Sequence, residues 1–339
     1  MTIFRPNQES SSLYGVQLII VGYYYPTKIP CHSKDSNHSH PLFEKRPVLR
    51  NRIISLLILT LIPVSALAME LSWVGCGITR NAFMADLAAA YQQKTGVNIN
   101  ISGGGATKGI RAITSKQADI GGACRFTLDM SREEAGATMV PVAWDALVVV
   151  VHKSNPIESI SLSQLRTLYQ GKITNWSQLG GADQPLELLI RQGKISGVGY
   201  TLRKHLFEDP KAVFIGHQEF PSSGPLEKNV EVNPNAIAVT GVASAYKRDF
   251  KILKLEDRDP SFENIRTGDY LLYRPLYLVL SQSSPNSKES DRFIQFALGP
   301  KGREIIRNNQ VVPYFDGMLL LQKRFDDWKR FIRESLAQN

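Results

Sequence analysis

The stretch NINISGGGATKGIRAI, residues 98–113, leaves few folds open to this chain. Its alternating apolar start predicts a strand, three consecutive glycines break it, and an amphipathic helical spacing begins almost at once. A strand that turns so directly into a helix leaves unpaired backbone N–H groups facing outward at the positive end of the helix dipole. That is a seat for an anion. It is not a nucleotide P-loop, which needs Gly-Lys followed by Ser or Thr, whereas Lys108 is followed by Gly109 and Ile110. It also fails the dinucleotide fingerprint, because the glycines are misplaced and no acidic residue closes a following strand at the usual distance. A smaller anion is expected.

From Met69 onward, short apolar runs alternate with amphipathic segments, which predicts an α/β architecture with largely parallel sheets. Strands are expected within 69–78, 97–102, 118–126, 185–192 and 274–280, and helices over 82–96, 109–117, 161–171, 197–207, 288–310 and 319–337. Ser161 is placed to cap the third helix and Gly171 to end it. The run MVPVAWDALVVVVH, residues 139–152, is rich in β-branched residues and should be buried on both faces. Its length suggests a crossing between two lobes, and the strand and small-residue return in 235–246 a second crossing. The expected division is lobe I from 69–142 and 243–339, and lobe II from 143–242.

Upstream, Lys45, Arg46, Arg50 and Arg52 precede an apolar run from Ile53 to Val64, followed by Ala66-Leu67-Ala68. This is the pattern of a secretory signal over 45–68 with cleavage after Ala68, and the run is too short to span a bilayer. Residues 1–44 are expected to be a mis-called start or a discarded extension. The cluster CHSKDSNHSH within them fits no standard metal spacing. The mature chain then keeps two cysteines, Cys76 and Cys124, in an oxidising compartment, which leaves open a disulfide or two separate small thiols. SWVGC faintly resembles a lipoprotein acylation box, but Glu70, Ser72 and Trp73 part it from the apolar run. The formal charge of +9 is spread along the chain rather than gathered into a stripe, so nucleic-acid binding has little support.

Several ordered motifs resemble one family. YQGKITNWSQLGG (169–181) is similar to its Gly-Lys-Ile-Thr-Asn-Trp stretch, NPNAIAVTGVASAY (233–246) to its Asn-Pro-x-Ala-Ile-Gly-Tyr segment, and RPLYLVL with FIQFALGPKGREIIRNNQVVPY (293–314) to its closing strand, helix and Val-Pro. The family is the phosphate-binding protein of bacterial ABC importers. The resemblance implies a type II periplasmic binding protein of two lobes, each a mostly parallel sheet flanked by helices, with two crossings at the hinge. It also implies a periplasmic monomer that needs no cofactor, metal or catalytic residue, takes phosphate or a related tetrahedral oxyanion, and passes it to an ABC permease.

By the same resemblance the ligand set comprises Thr79, Gly105, Ala106, Thr107, Arg125, Arg191, Ser196, Gly197 and Val198. A dehydrated oxyanion needs many oriented donors, and helix starts, hydroxyls and a forked guanidinium supply them. Departures from the pattern are Arg80 for an aromatic residue, Cys124-Arg125 for Ser-Asp or Ser-Arg, Val198 for threonine, and one extra residue between Arg191 and Ser196. Asp145 is a further candidate acceptor near the crossing. Arg125 has a plain alternative, a surface pair with Asp129. Two other functions stay open: a secreted sensory or adhesive anion-binding module, and a thiol-dependent enzyme using Cys76 or Cys124. Against the second, His152, His205 and His217 lie outside the motifs.

Overall fold

The computed structural model describes residues 69–323. The expected extension, the signal segment and residues 324–337 of the last expected helix lie outside the described residues. β1 (Glu70–Gly75) leads through the single-turn helix α1 (Gly77–Thr79) and a π-helical turn into α2 (Ala85–Thr95). β2 (Asn98–Gly103) turns at Gly104 into α3 (Gly105–Thr114), and β3 (Ile120–Ala123) follows. Gly105 sits at φ 86°, a conformation that a side chain would strain, so the third glycine of the opening triplet makes the turn possible. Gly109 has a different duty. A Cβ there would lie 2.7 Å from the Gly122 carbonyl and 2.8 Å from that of Val74, so α3 rests directly on the backbones of β1 and β3.

β4 (Thr138–Val151) is the axis of the molecule. Beyond it come β5 (Ser159–Ile160), α4 (Leu162–Tyr169), β6 (Glu187–Arg191), α5 (Gly197–Phe207), β7 (Gln218–Phe220), α6 (Ser223–Val232) and β8 (Ala236–Gly241). The chain then runs through α7 (Val242–Ala245), β9 (Lys251–Ile252), β10 (Lys254–Leu255), α8 (Phe262–Thr267), β11 (Tyr273–Leu280), α9 (Ser287–Leu298), α10 (Pro300–Asn308) and β12 (Val312–Pro313).

The main path of the sheet reads β2-β1-β3-β11-β4-β8-β6-β7. The β1, β2 and β3 ladders are parallel, as are those of β6, β7 and β8, while β11 and β4 enter antiparallel. From Thr138 to Ala146, β4 pairs with β11, and from Leu147 to Val151 with β8, so one strand serves both lobes. Residues Val142–Val151 are buried throughout, which is why the sequence shows no alternation there. After α7, β9 joins the Val150–Val151 end of β4 and β10 pairs with β5, so the chain stays on the β8 side past the return expected at residue 242.

Several elements differ from the sequence reading, and two of the differences turn on proline. The helix expected over 288–310 is two helices, because Gly299 is extended (ψ 175°) and Pro300 has no N–H to continue the ladder. Conversely, α6 was hidden behind PSSGP, which reads as a turn. Pro225 fits there because first-turn N–H groups have no partner within the helix.

The Gly109 contact is testable. Gly109→Ala should lower the urea-unfolding free energy by about 1–3 kcal/mol, since neither backbone neighbour can yield. Gly103→Ala, where nothing lies within 4 Å, should change it by less than about 0.5 kcal/mol.

Candidate functional site

Three helices begin at the junction of the lobes without a side-chain cap. α3 follows Gly104, α5 follows Ser196 and α6 follows Ser222, and at none of them does the N-cap side chain accept a bond from the first turn. By contrast, α4 and α8 are closed by Ser161 and Ser261. The positive ends of α3, α5 and α6 are therefore left without a protein side-chain acceptor. They are drawn together. A Cβ on Gly197 would lie 3.0 Å from the Ala106 Cβ and 2.3 Å from the Cys124 Sγ, so the starts of α5 and α3 abut with the loop after β3 between them. Arg191, at the end of β6, reaches the start of α6, where its Nη1 donates to Ser223 Oγ at 3.0 Å. Its Nε and Nη2 donate to the Phe220 and Pro221 carbonyls.

Gly105, Ala106, Thr107, Arg191, Ser196, Gly197 and Val198 thus fall at or beside these helix starts. The Ser196 Oγ is buried with no hydrogen-bond partner in the protein. Thr107 donates its hydroxyl across the lobes to the Ile195 carbonyl at 3.1 Å. Thr79 is fully buried, and its donors turn back on its own turn: the N–H to Cys76 Sγ at 3.4 Å and the hydroxyl to the Cys76 carbonyl at 2.9 Å.

Arg125 has a different environment from the other candidates. Its guanidinium grips Glu134 with two bonds of 2.8 and 2.6 Å, and also donates to the Phe126 carbonyl, the Thr107 hydroxyl and the Ile195 carbonyl. All five of its N–H groups have acceptors, so it offers none to a ligand in this arrangement. Nor does it pair with Asp129 on the surface: Glu134 is 1% exposed and Arg125 3%. Arg125 works as a latch that ties Thr107 to the opposite lobe through Ile195. Glu134 was missed because SREEAG reads as a solvated acidic turn. Its carboxyl is buried, which would push its pKa up, but the Arg125 bonds and the Leu128 N–H outweigh that and hold it below the usual range.

Asp145 is engaged as well. It lies directly across the ladder from Arg274 on β11, and the two side chains form a buried pair at 2.9 and 3.2 Å. Burial pushes the Asp145 carboxyl up despite Arg274. Arg274 also donates to the Cys124 carbonyl at 3.3 Å. It opens the RPLYLVL run, and the register opposite Asp145 explains its burial.

Cys76 and Cys124 are both free and buried. The neighbouring Cys76 thiol draws Cys124 down to about 6, against the cost of burial and aided by Arg274 and Arg191. Burial raises Cys76, as does the neighbouring Cys124 sulfur. Among the described residues, no group of three or more His, Cys, Asp or Glu could hold a metal ion, and no helix is long and apolar enough to cross a membrane.

Residues 77–301 match the family model described as a PBP superfamily domain. The chain is similar to the phosphate-binding protein PstS of Pseudomonas aeruginosa, 25% identical over 275 residues that cover 74% of this chain and 84% of that protein. It is also similar to the PstS of Bacillus subtilis, 28% identical over 193 residues, 55% of this chain and 63% of that one. Among solved structures, a putative phosphate ABC transporter substrate-binding protein from Clostridium perfringens with bound phosphate superposes with a TM-score of 0.65. It is 27% identical, covering 72% of this chain and 99% of that one. An ABC-type phosphate transport receptor from Vibrio cholerae gives a TM-score of 0.56 at 26% identity, with 72% and 99% covered.

The latch makes a pH-dependent prediction. Because the folded Glu134 carboxyl lies below its ordinary value of 4.5, the pair stabilises fully above that pH and its contribution fades as pH falls through the depressed value. Glu134→Gln should therefore cost about 3 kcal/mol or more near neutrality, and the gap to the natural protein should close below about pH 4.5. Urea unfolding at a series of pH values reads this, and a gap that stayed constant down to pH 3 would contradict it.

Proposed function

Since the chain belongs to the PBP superfamily, we propose that it is an exported solute-binding protein that closes two lobes around phosphate or a related tetrahedral oxyanion and delivers it to an ABC-type permease. The observation that carries this reading is the meeting of three uncapped helix starts, from both lobes, beside Arg191. An anion seated there would exchange its hydration for fixed N–H groups, the unpartnered Ser196 hydroxyl and a guanidinium with two N–H groups to spare. The phosphate held by the Clostridium relative and the names of the PstS relatives support phosphate as the ligand.

Contacts from both lobes to one ligand favour the closed state. The protein's own latch, Thr107 and Arg125 on Ile195, acts in the same direction and would lower the amount of ligand energy needed for closure. We assign Gly105, Ala106, Thr107, Arg191, Ser196, Gly197 and Val198 to the seat itself, Thr79 to its lobe I wall, and Arg125 to closure. The reading requires no chemistry. His217 accepts the Leu188 N–H and His152 pairs with the Ser154 hydroxyl, so neither is arranged as a base for Cys76 or Cys124.

Calorimetry of the purified protein against phosphate, sulfate, arsenate and molybdate should show binding of at least one of them. Arg191→Ala should weaken it roughly tenfold to a thousandfold, because a bond to a charged partner is lost inside a dry site. Unchanged affinity would remove Arg191 from the seat, and no heat with any oxyanion would end the proposal. N-terminal sequencing of the exported protein should begin at Met69, and recovery of residues 1–44 would refute the leader assignment.

A further inference from the structure

Two thiols stand where the seat's own donors are already consumed. The Cys76 sulfur accepts the Thr79 N–H at 3.4 Å and lies 3.3 Å from the Thr79 hydroxyl, which donates to the Cys76 carbonyl. Both donors of Thr79 are turned inward on one residue. Cys124 follows the neighbouring strand: Gly75 and Gly122 are register partners in the parallel β1–β3 ladder, and the Cys76 N–H donates to the Gly122 carbonyl at 3.2 Å. The two cysteines thus lie one residue beyond adjacent strand ends, β1 ending at Gly75 and β3 at Ala123, and both are buried. Neighbouring strands run about 5 Å apart, within the span that a disulfide bridges.

We propose that Cys76 and Cys124 form a reversible disulfide that releases the Thr79 N–H to the anion seat, so that oxidation tightens oxyanion binding and reduction weakens it. The inference rests on the oxyanion reading above. Pulling the Cys76 sulfur toward Cys124 takes it from the Thr79 N–H, which it caps in the reduced protein. A second effect has the same sign. The neighbouring Cys76 thiol and the fields of Arg274 and Arg191 draw Cys124 toward its thiolate form, and negative charge on it beside the seat would repel an anion. The disulfide carries no charge.

The exchange balances with a donor disulfide of the glutathione or protein-dithiol-oxidase class. The Cys124 thiolate attacks one donor sulfur, and the other leaves as a thiolate. The Cys76 thiol then gives its proton to the expelled thiolate and attacks the Cys124 Sγ, displacing the second donor sulfur, which takes up the proton that Cys124 released. Two electrons and two protons pass to the donor. Cys124 is 2% exposed and packed against Gly197, so the attack needs the lobes parted.

The test compares the purified protein in reduced and oxidised glutathione buffers by non-reducing peptide mapping, amide exchange over residues 76–84, and phosphate calorimetry. The expected result is a Cys76–Cys124 linkage, faster exchange at Thr79 in the oxidised form, and phosphate binding tighter by roughly tenfold or more. Cys124→Ala should lose the redox response in all three. The proposal is overturned if no linkage forms while both thiols remain alkylatable after unfolding, or if it forms and leaves Thr79 exchange or phosphate affinity unchanged. Phosphate binding in neither form would end the oxyanion reading, and the linkage and exchange results would then decide the disulfide by themselves.

Discussion

A single strand holds the molecule in register with itself. β4 gives its first nine residues to β11 and its last five to β8, and the change of partner falls between Ala146 and Leu147. The buried Asp145–Arg274 pair stands one step before that change. Taking both charges out of water is costly unless each meets the other, so the pair does little for net stability and much for alignment. A slip of one residue between β4 and β11 would send every side chain of one strand to the opposite face and strand both charges. Because β1 and β3 hang on β11, and β6 on β8, the loops that build the site are placed by this alignment.

An anion seat needs donors that the protein has not already spent. This constraint separates two arginines that look alike in sequence. Arg125 uses all five of its N–H groups on protein acceptors, with a carboxylate on two of them, and is therefore a neutralised strut. Arg191 has only carbonyl and hydroxyl acceptors, so its charge is uncompensated by direct contact. Such acceptors fix the fork in place without cancelling its field, which suits a group that must meet a mobile anion. The helix starts obey the same logic, since a serine or aspartate cap would compete with the guest for the N–H groups.

Local patterns were legible where the backbone alone decides. The glycine turn into α3, the capped start of α4 at Ser161, α5 over 197–207 and the apolar run of β4 follow from spacing and residue type. What could not be read depends on partners distant in sequence. Glu134 looks solvated until Arg125 folds onto it, and the burial of Arg274 depends on β11 lying beside Asp145. α6 was obscured because a proline in a first helical turn and a proline in a loop look the same without the rest of the fold. Of the positions carried over from the family resemblance, Gly105, Ala106, Thr107, Ser196, Gly197 and Val198 sit at helix starts, whereas Arg125 lies in the loop after β3 and keeps no free donor.

The thiols extend this point. Cys76 takes the place at the α1 start that Ser161 and Ser261 fill elsewhere with oxygen, at 3.4 Å rather than the 3.0 and 3.2 Å of those caps. Sulfur is a weak acceptor, so this cap yields more easily than a hydroxyl would. A hydroxyl at position 76 would also have no covalent alternative. Where a chain must hold a helix start closed in one state and offer it to a guest in another, a cap that is weak and can be drawn away by its neighbour meets both needs. On the proposed exchange Thr79 would lie between those two outcomes, because its buried N–H, held by the Cys76 sulfur in the reduced protein, would need another acceptor once the sulfur moved, and a bound oxyanion would supply one.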